Sequence, residues 1–313
     1  MGSINYSIII PHKNCPDLLQ RCLNSIPVVP DIQIIIVDDN SDNDIVDFNN
    51  FPGKERINTE IYFTKEGKGA GYARNIGLER VKGKWVLFAD ADDYFTEDFY
   101  SIISDYKNSE NDIVFFSATS IYPETGEKAN RHLAIEESVH KCIAGDEDCI
   151  RYYRASPIAK MIKKSLIEDH NICFDEVKAS NDTMFSLKTG YYAKGICADE
   201  RVVYIITVRS GSLEYTLSRD ILLCRIGIDY RVNKFFRTNN LKKKIRVIRY
   251  IEPLRFISYK LFICELCKYI VKEPFNAIDD IIFYLWKFVI RVFKKRRNIS
   301  LDADNNYIKI DRL

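Results

Sequence analysis

The segment Lys84-Trp85-Val86-Leu87-Phe88-Ala89-Asp90-Ala91-Asp92-Asp93 constrains this chain more than any other. Trp85 to Ala89 is an apolar run of strand length. It ends in three carboxylates within four residues. Carboxylates this close raise one another's pKa unless a cation or ordered donors compensate. On extended chain Asp90 and Asp92 face the same side. Such an acidic strand end fits the carboxyl edge of an open α/β sheet, where ligands bind. Two oxygen ligands suit Mg²⁺ or Mn²⁺ shared with a diphosphate. The bland alternative is a surface turn in which Asp93 or Thr96 caps a helix near Glu97–Tyr106.

The flanking chain decides between them. Tyr6–Pro11 reads as a strand stopped by proline, and Asp17–Ile26 has a helical apolar rhythm. Ile32–Val37 is a near-continuous apolar strand, as buried parallel strands tend to be, and it too runs into acid at Asp38-Asp39-Asn40-Ser41-Asp42. Glu60–Thr64 reads as a third strand. Lys65–Gly71 is a glycine-rich loop carrying Lys68, and Gly71–Arg80 a helix carrying Arg74. Alternating strands and helices of this kind predict an α/β fold with its loops gathered at one sheet edge. Further on, Asp112–Ser117 and Val202–Val208 read as strands. Ile121–Glu137 reads as irregular or a hairpin, and Asp146–Tyr153 and Ile158–Asp169 as helical. Ile172–Met184 reads as a loop, with a helix opening at Asp182.

Charge divides the 313 residues into two parts. Met1–Ser218 has an acidic excess of about 10, and Arg219–Arg297 a basic excess of about 13. The predicted domains are accordingly 1–218, catalytic, and 219–313, helical and basic. Nine scattered cysteines form no small-domain framework and read as reduced and cytoplasmic. The start of the chain runs straight into a strand and reads as lacking a signal peptide. Nothing in the pattern calls for a nucleic-acid partner.

There is no G-x-G-x-x-G after the first strand, no phosphate-loop G-x-x-x-x-G-K-[ST] and no G-x-S-x-G elbow. The four histidines show no metal or triad spacing. What remains is an ordered series: Ser7-Ile-Ile-Ile-Pro11 with Asn14, Ile36-Val-Asp-Asp-Asn-Ser-Asp42, Gly71-Tyr-Ala-Arg-Asn-Ile-Gly77 and Phe88-Ala-Asp-Ala-Asp-Asp93. It continues in Ile158-Ala-Lys160, Phe174 to Asn181-Asp182, and Arg209-Ser-Gly-Ser212. Over roughly residues 6–215 this series resembles the motifs of family 2 glycosyltransferases with the GT-A fold.

The resemblance implies inverting transfer of a sugar from a nucleotide diphosphate donor, a UDP-sugar, to a hydroxyl of a glycan or lipid-linked glycan, in cell-surface polysaccharide synthesis. Pro11 would lie against the nucleotide. Asp38 matches the position that contacts the base, with Asp39 or Ser41 on the nucleoside. Lys68 and Arg74 match the basic loop and helix near base and diphosphate, where a guanidinium fork suits phosphate. Asp90, Ala91 and Asp92 match the DXD motif, with Asp90 and Asp92 as ligands of Mn²⁺ or Mg²⁺. Asp182 matches the general base, second in a Glu-Asp pair whose first member is here Asn181. Asp93, Lys160, Asn181, Arg209 and Ser212 are implied contacts to acceptor or diphosphate. Asn40 replaces a common glycine, which Asn tolerates because it adopts left-handed dihedrals. For Asp182 the alternative is a helix N-cap.

The resemblance fades after about Ser218. Apolar helical faces with Lys242-Lys243-Lys244 and Lys294-Lys295-Arg296-Arg297 suggest contact with an anionic membrane, peripheral on its inner face. Phe275–Phe293 is interrupted by Lys287 and Arg291, which would have to snorkel in a span. Two rival readings are a sugar nucleotidyltransferase and a catalytically silent, membrane-associated scaffold. The first wants glycines after the first strand, where His12-Lys13-Asn14-Cys15 has none.

Overall fold

A computed structural model describes residues 3–209 and 218–296, excepting the side chains of 285 and 287–296. The chain divides into two compact units, Met1–Glu214 and Tyr215–Leu313.

In the first unit the order is β1 (Tyr6–His12), α1 (Pro16–Asn24), β2 (Ile32–Asp39), β3 (Thr59–Thr64), α2 (Ala70–Leu78), β4 (Trp85–Phe88), β5 (Tyr94–Phe95) and α3 (Phe99–Ser104). Then come β6 (Ile113–Ile121), α4 (Leu133–Ile143), a π-helical turn (Cys149–Tyr153), β7 (Lys160–Lys163), α5 (Lys164–Asp169), α6 (Thr183–Tyr192) and β8 (Ile196–Thr207). The strands form one mixed sheet in the order β3-β2-β1-β4-β7-β6-β8-β5.

Strand alternation explains the apolar runs. Ile8, Ile10, Ile34, Ile36 and Leu87 fill the core on one face of the sheet. Ile9, Ile35, Val37, Val86 and Phe88 fill the core on the other. Both faces are covered, so no polar alternation survives.

Strand direction sets the functional edge. β2 and β4 both run parallel to β1, so His12, Asp39 and Phe88 end at the same edge. β7 runs antiparallel to β4, so its first residue, Lys160, reaches that edge too. β6 is antiparallel to β7, and β8 is parallel to β6, which returns Thr207 there.

Three local readings are settled here. Asn40 does adopt φ +59°, the left-handed turn expected of it. Ile121–Glu137 begins as a hairpin bridged between Ile121 and Lys128, then enters α4. The helical reading of Ile158–Asp169 is corrected. Lys160–Lys163 is a strand between β4 and β6, and only Lys164–Asp169 is helical.

The second unit is helical: α7 (Arg219–Thr238), α8 (Ile248–Ile251), a 3₁₀ turn (Glu252–Phe256), α9 (Tyr259–Lys272) and α10 (Pro274–Arg296). Ser218 and Ser258 cap α7 and α9 through their side-chain oxygens. Its interior includes a polar web. Asp229 accepts from Arg249 at 3.0 and 3.1 Å, while Asp280 accepts from Arg246 at 3.0 Å and from the Tyr269 hydroxyl at 2.8 Å. Glu273 accepts from Asn233 and Arg237, each at 2.9 Å. Large apolar side chains stand outside: Phe275 is 87% exposed, and Ile278, Ile282 and Trp286 follow it at helical spacing on α10. Among the described residues no helix is long and apolar enough to cross a membrane.

Candidate active site

The acidic strand end is fixed from several elements. The Asp90 amide donates to the buried Tyr204 hydroxyl of β8 at 2.9 Å. The Asp92 carbonyl accepts from Arg21 of α1 and from Thr207 Oγ1 of β8, both at 2.5 Å. Carboxylate oxygens of Asp90, Asp92 and Asp93 lie within 4.8 Å of one another. The three are not equivalent. Asp90 and Asp92 are partly open to solvent. Asp93, a candidate ligand contact from sequence, instead turns inward and accepts the Thr207 amide at 2.8 Å. Burial, with Asp90 and Asp92 beside it, pushes its pKa well above the usual carboxylate range. Its place is a tie between the acidic turn and β8.

Arg74, buried on α2, joins two parts of the site. It donates to Asp90 Oδ1 at 2.6 Å and to Asn181 Oδ1 at 3.0 Å. Its guanidinium also lies 5.3 Å from the centre of the Phe174 ring. Gly71 makes this approach possible: a Cβ there would stand 2.1 Å from the Asp175 carbonyl oxygen. Asp182 follows Asn181 at the start of α6. It occupies the N-cap position, yet its side chain makes no cap hydrogen bond. One turn on, Ser186 Oγ accepts from Lys160 Nζ at 3.0 Å. Lys160 is fully buried, and burial, with Arg154 nearby, drives its pKa well below the usual lysine range. The nearby Asp182 charge opposes that fall. Arg209, at the end of β8, pairs with Asp92.

The other acidic strand end is built differently. Asp38 is buried and fully engaged. Oδ2 accepts from His12 at 2.7 Å and from Ser41 Oγ at 2.5 Å, while Oδ1 accepts the Ser41 amide at 2.9 Å. Burial alone would raise its pKa, but these bonds outweigh it and hold it below the ordinary value. Ser41 Oγ also accepts the Asn14 amide at 2.8 Å, fastening the two loops together. Asp39 is buried as well. Its Oδ2 accepts the Gly69 amide at 2.8 Å, and Lys13 Nζ lies 3.6 Å away. Its Oδ1 is buried without a hydrogen-bond partner among the described residues. A buried unsatisfied carboxylate oxygen is costly and calls for an explanation. The resemblance implies a base contact for Asp38; in the structure both Asp38 oxygens are engaged by His12 and Ser41, and the unpaired oxygen is on Asp39.

Direct bonds therefore link Asp90, Arg74 and Asn181, with Asp182 beside Asn181, and pair Arg209 with Asp92, while Thr207 joins Asp92 to Asp93. Pro11, Asp38, Asp39 and Ser41 cluster at the ends of β1 and β2. Lys68 is exposed, 3.8 Å from Glu176 and over the Tyr72 ring. Ala91 is buried between the two acids. Ser212 lies outside the described residues, as do the side chains of Lys287 and Arg291. Sequence reading missed three supports. His12 is set opposite Asp38 by strand register. Tyr204 reaches Asp90 across the sheet. Arg154 donates to the carbonyls of Ile158 and Ala159. The first two have no local signal, because each partner is fixed by tertiary pairing.

The donor chemistry fits a divalent cation. Asp90 and Asp92 offer hard carboxylate oxygens, the kind Mg²⁺ and Mn²⁺ prefer. Arg74 occupies one oxygen of Asp90 and Arg209 one of Asp92, so each side chain retains a second.

Known proteins share this framework. Residues 7–170 match the family model described as glycosyl transferase family 2. The putative glycosyltransferase EpsH of Bacillus subtilis (strain 168) is 22% identical over 245 residues, covering 75% of this chain and 70% of that protein. The poly(ribitol-phosphate) beta-glucosyltransferase of Bacillus spizizenii is 28% identical over 212 residues, 64% of this chain. This chain spans only 32% of that longer relative. Among solved structures, S. aureus TarS 1–349 in complex with UDP-GlcNAc superposes with a TM-score of 0.58 at 22% identity, covering 80% of each chain. The mannosyltransferase PcManGT from Pyrobaculum calidifontis, in complex with GDP-Man and Mn²⁺, gives 0.51 at 14% identity, over 95% of this chain and 83% of that one. At these identities the structures support the GT-A fold. With the family model matching more than half of its length, the chain belongs to glycosyl transferase family 2.

Proposed function

We propose that the protein transfers a sugar from a UDP-sugar to a glycan hydroxyl, with inversion, in the making of a surface polysaccharide. The observation behind the base contact is the buried, unpaired Oδ1 of Asp39, an acceptor suited to a base N–H such as the N3–H that uracil shares with thymine. A site built around such a hydrogen bond discriminates strongly against a base that cannot make it. The UDP-GlcNAc held by the similar TarS fold supports this reading. Asp38, His12 and Ser41 then act as the frame that holds Asp39, and Pro11 lines the same edge.

In the transfer, the acceptor oxygen attacks the anomeric carbon opposite the diphosphate. The bond from that carbon to the diphosphate breaks, and its electron pair leaves with the diphosphate. Asp182 takes the acceptor's hydroxyl proton on its carboxylate. Its place beside Asn181, which Arg74 ties to Asp90, supports this role. Asp90 and Asp92 would hold a divalent cation, Mn²⁺ or Mg²⁺, which when bound would supply positive charge for the leaving diphosphate. Arg74 keeps Asp90 aimed and ties it to the loop that carries Asp182.

The test is product analysis with UDP-, GDP- and dTDP-sugars in the presence of Mn²⁺. Nucleotide release is expected from the UDP-sugar, and NMR of the product should show the inverted anomer. Asp39→Ala should weaken UDP by about tenfold to a hundredfold, as loss of a hydrogen bond to a charged group implies. It should leave the protein folded. Release from GDP- or dTDP-sugars in preference, or a retained anomer, contradicts the proposal.

We also propose that the helical unit rests on an anionic membrane, near a lipid-linked acceptor. Its basic excess complements anionic headgroups, and the exposed stripe Phe275, Ile278, Ile282 and Trp286 supplies an apolar face. The protein should sediment with phosphatidylglycerol-containing vesicles and not with neutral ones. Replacing Phe275 and Trp286 by Ser should abolish this. Equal behaviour with both vesicle types would contradict it.

A further inference from the structure

The two arginines paired with carboxylates of the acidic turn differ in one respect that matters for ligand binding. Arg74 is held in place. Its side chain is 7% exposed, it has two side-chain partners, and it packs on Phe174. Arg209 is not enclosed. Its side chain is 39% exposed and that of its partner Asp92 is 35% exposed. An ion pair open to water on both sides contributes little net stability, so its partners exchange readily. The Asp92 backbone is held, because Arg21 and Thr207 both grip its carbonyl. Arg209, on the longer and more exposed side chain, is the partner with room to leave.

We propose that Arg209 is an exchangeable counter-cation. It neutralises Asp92 while the donor site is empty and passes to the donor's phosphates when nucleotide and divalent cation arrive. This deepens the reading of Asp90 and Asp92 as the cation and diphosphate site, and rests on it. A divalent cation approaching Asp92 alone meets a guanidinium already bound there, and like charges oppose each other. A nucleoside diphosphate changes the balance. Its phosphate oxygens match the guanidinium fork better than a single carboxylate oxygen does. Arg209 thus penalises cation binding without nucleotide and rewards it with nucleotide. The two ligands become coupled, and by linkage each tightens the other by the same factor. Arg74 cannot do this, because leaving Asp90 would also break its bond to Asn181.

The coupling gives Arg209 opposite effects on the two ligands, which a purely structural arginine does not have. Free Mn²⁺ is measured by electron paramagnetic resonance and UDP by calorimetry, with thermal melts checking the fold. In the unaltered protein, saturating UDP should tighten Mn²⁺ by about tenfold or more. In Arg209→Ala, Mn²⁺ alone should bind several-fold tighter than in the unaltered protein. UDP in the presence of Mn²⁺ should bind about tenfold weaker, and the coupling should shrink. Arg209→Lys keeps the charge without the fork. It should leave Mn²⁺ alone nearly unchanged and still weaken UDP. Unchanged or weaker Mn²⁺ binding in Arg209→Ala without nucleotide overturns the proposal. Failure of UDP to bind the unaltered protein with Mn²⁺ overturns the donor-site reading instead. The nucleotide-free Mn²⁺ titration still decides whether Arg209 competes.

Discussion

Asp182→Asn should lower kcat by about a thousandfold, the range that general-base catalysis supplies, while leaving UDP binding and the melting temperature nearly unchanged. Asn matches Asp in shape and cannot take the acceptor's proton. Asp182 occupies the N-cap position of α6 without using its side chain as a cap, so the substitution removes no cap bond. If the side chain were only a cap, Asn would serve as well and kcat would not change. An unchanged rate, measured as UDP release with acceptor present, would also favour the silent-scaffold reading. A normal UDP affinity together with a lost rate separates the base from the donor site.

The second large effect is expected at Arg74. Arg74→Gln should cost about 2 kcal/mol of stability, the size of a lost hydrogen bond to a charged group, and should weaken the donor by more than tenfold. Asp90 would lose its fixed partner, and α2 would lose its side-chain tie to Asn181. Arg74→Lys should not restore donor binding, because one ammonium cannot bridge two acceptors in a planar fork. Chemical denaturation and calorimetry with UDP check both effects. Lys68→Ala is the control: Lys68 is exposed, and its loss should change affinity only a few-fold. Equal losses at Lys68 and Arg74 would contradict the bridging role.

What the sequence reveals of this site follows from how local each signal is. β1, β2 and β4 are legible because their apolar runs fit strands covered on both faces, and acid directly after an apolar strand marks the functional edge. Asn40 is legible because its left-handed turn is a property of one residue. β7 is not. Lys160–Lys163 is too short for any period to show, and it is a strand only because β4 and β6 flank it. The same limit hides Arg74's bond to Asn181, which is 107 positions away in sequence. It also hides the difference between Asp38 and Asp39. Both are acids at one strand end, and only the register that sets His12 opposite Asp38 satisfies the first and leaves the second an open oxygen. Adjacent carboxylates in the DXD segment divide in the same way. Asp93 turns inward to β8, while Asp90 and Asp92 remain open to a ligand.

The most direct test of the donor site is calorimetric titration of the purified protein with UDP, GDP and dTDP, each with and without Mn²⁺, repeated on Asp92→Ala. UDP should bind in preference to the other two, should need the metal, and should lose that metal dependence along with most of its affinity in Asp92→Ala. Metal-independent binding that survives Asp92→Ala, or no nucleotide binding by a well-folded sample, would contradict the assignment of the acidic strand ends to a nucleotide-sugar donor.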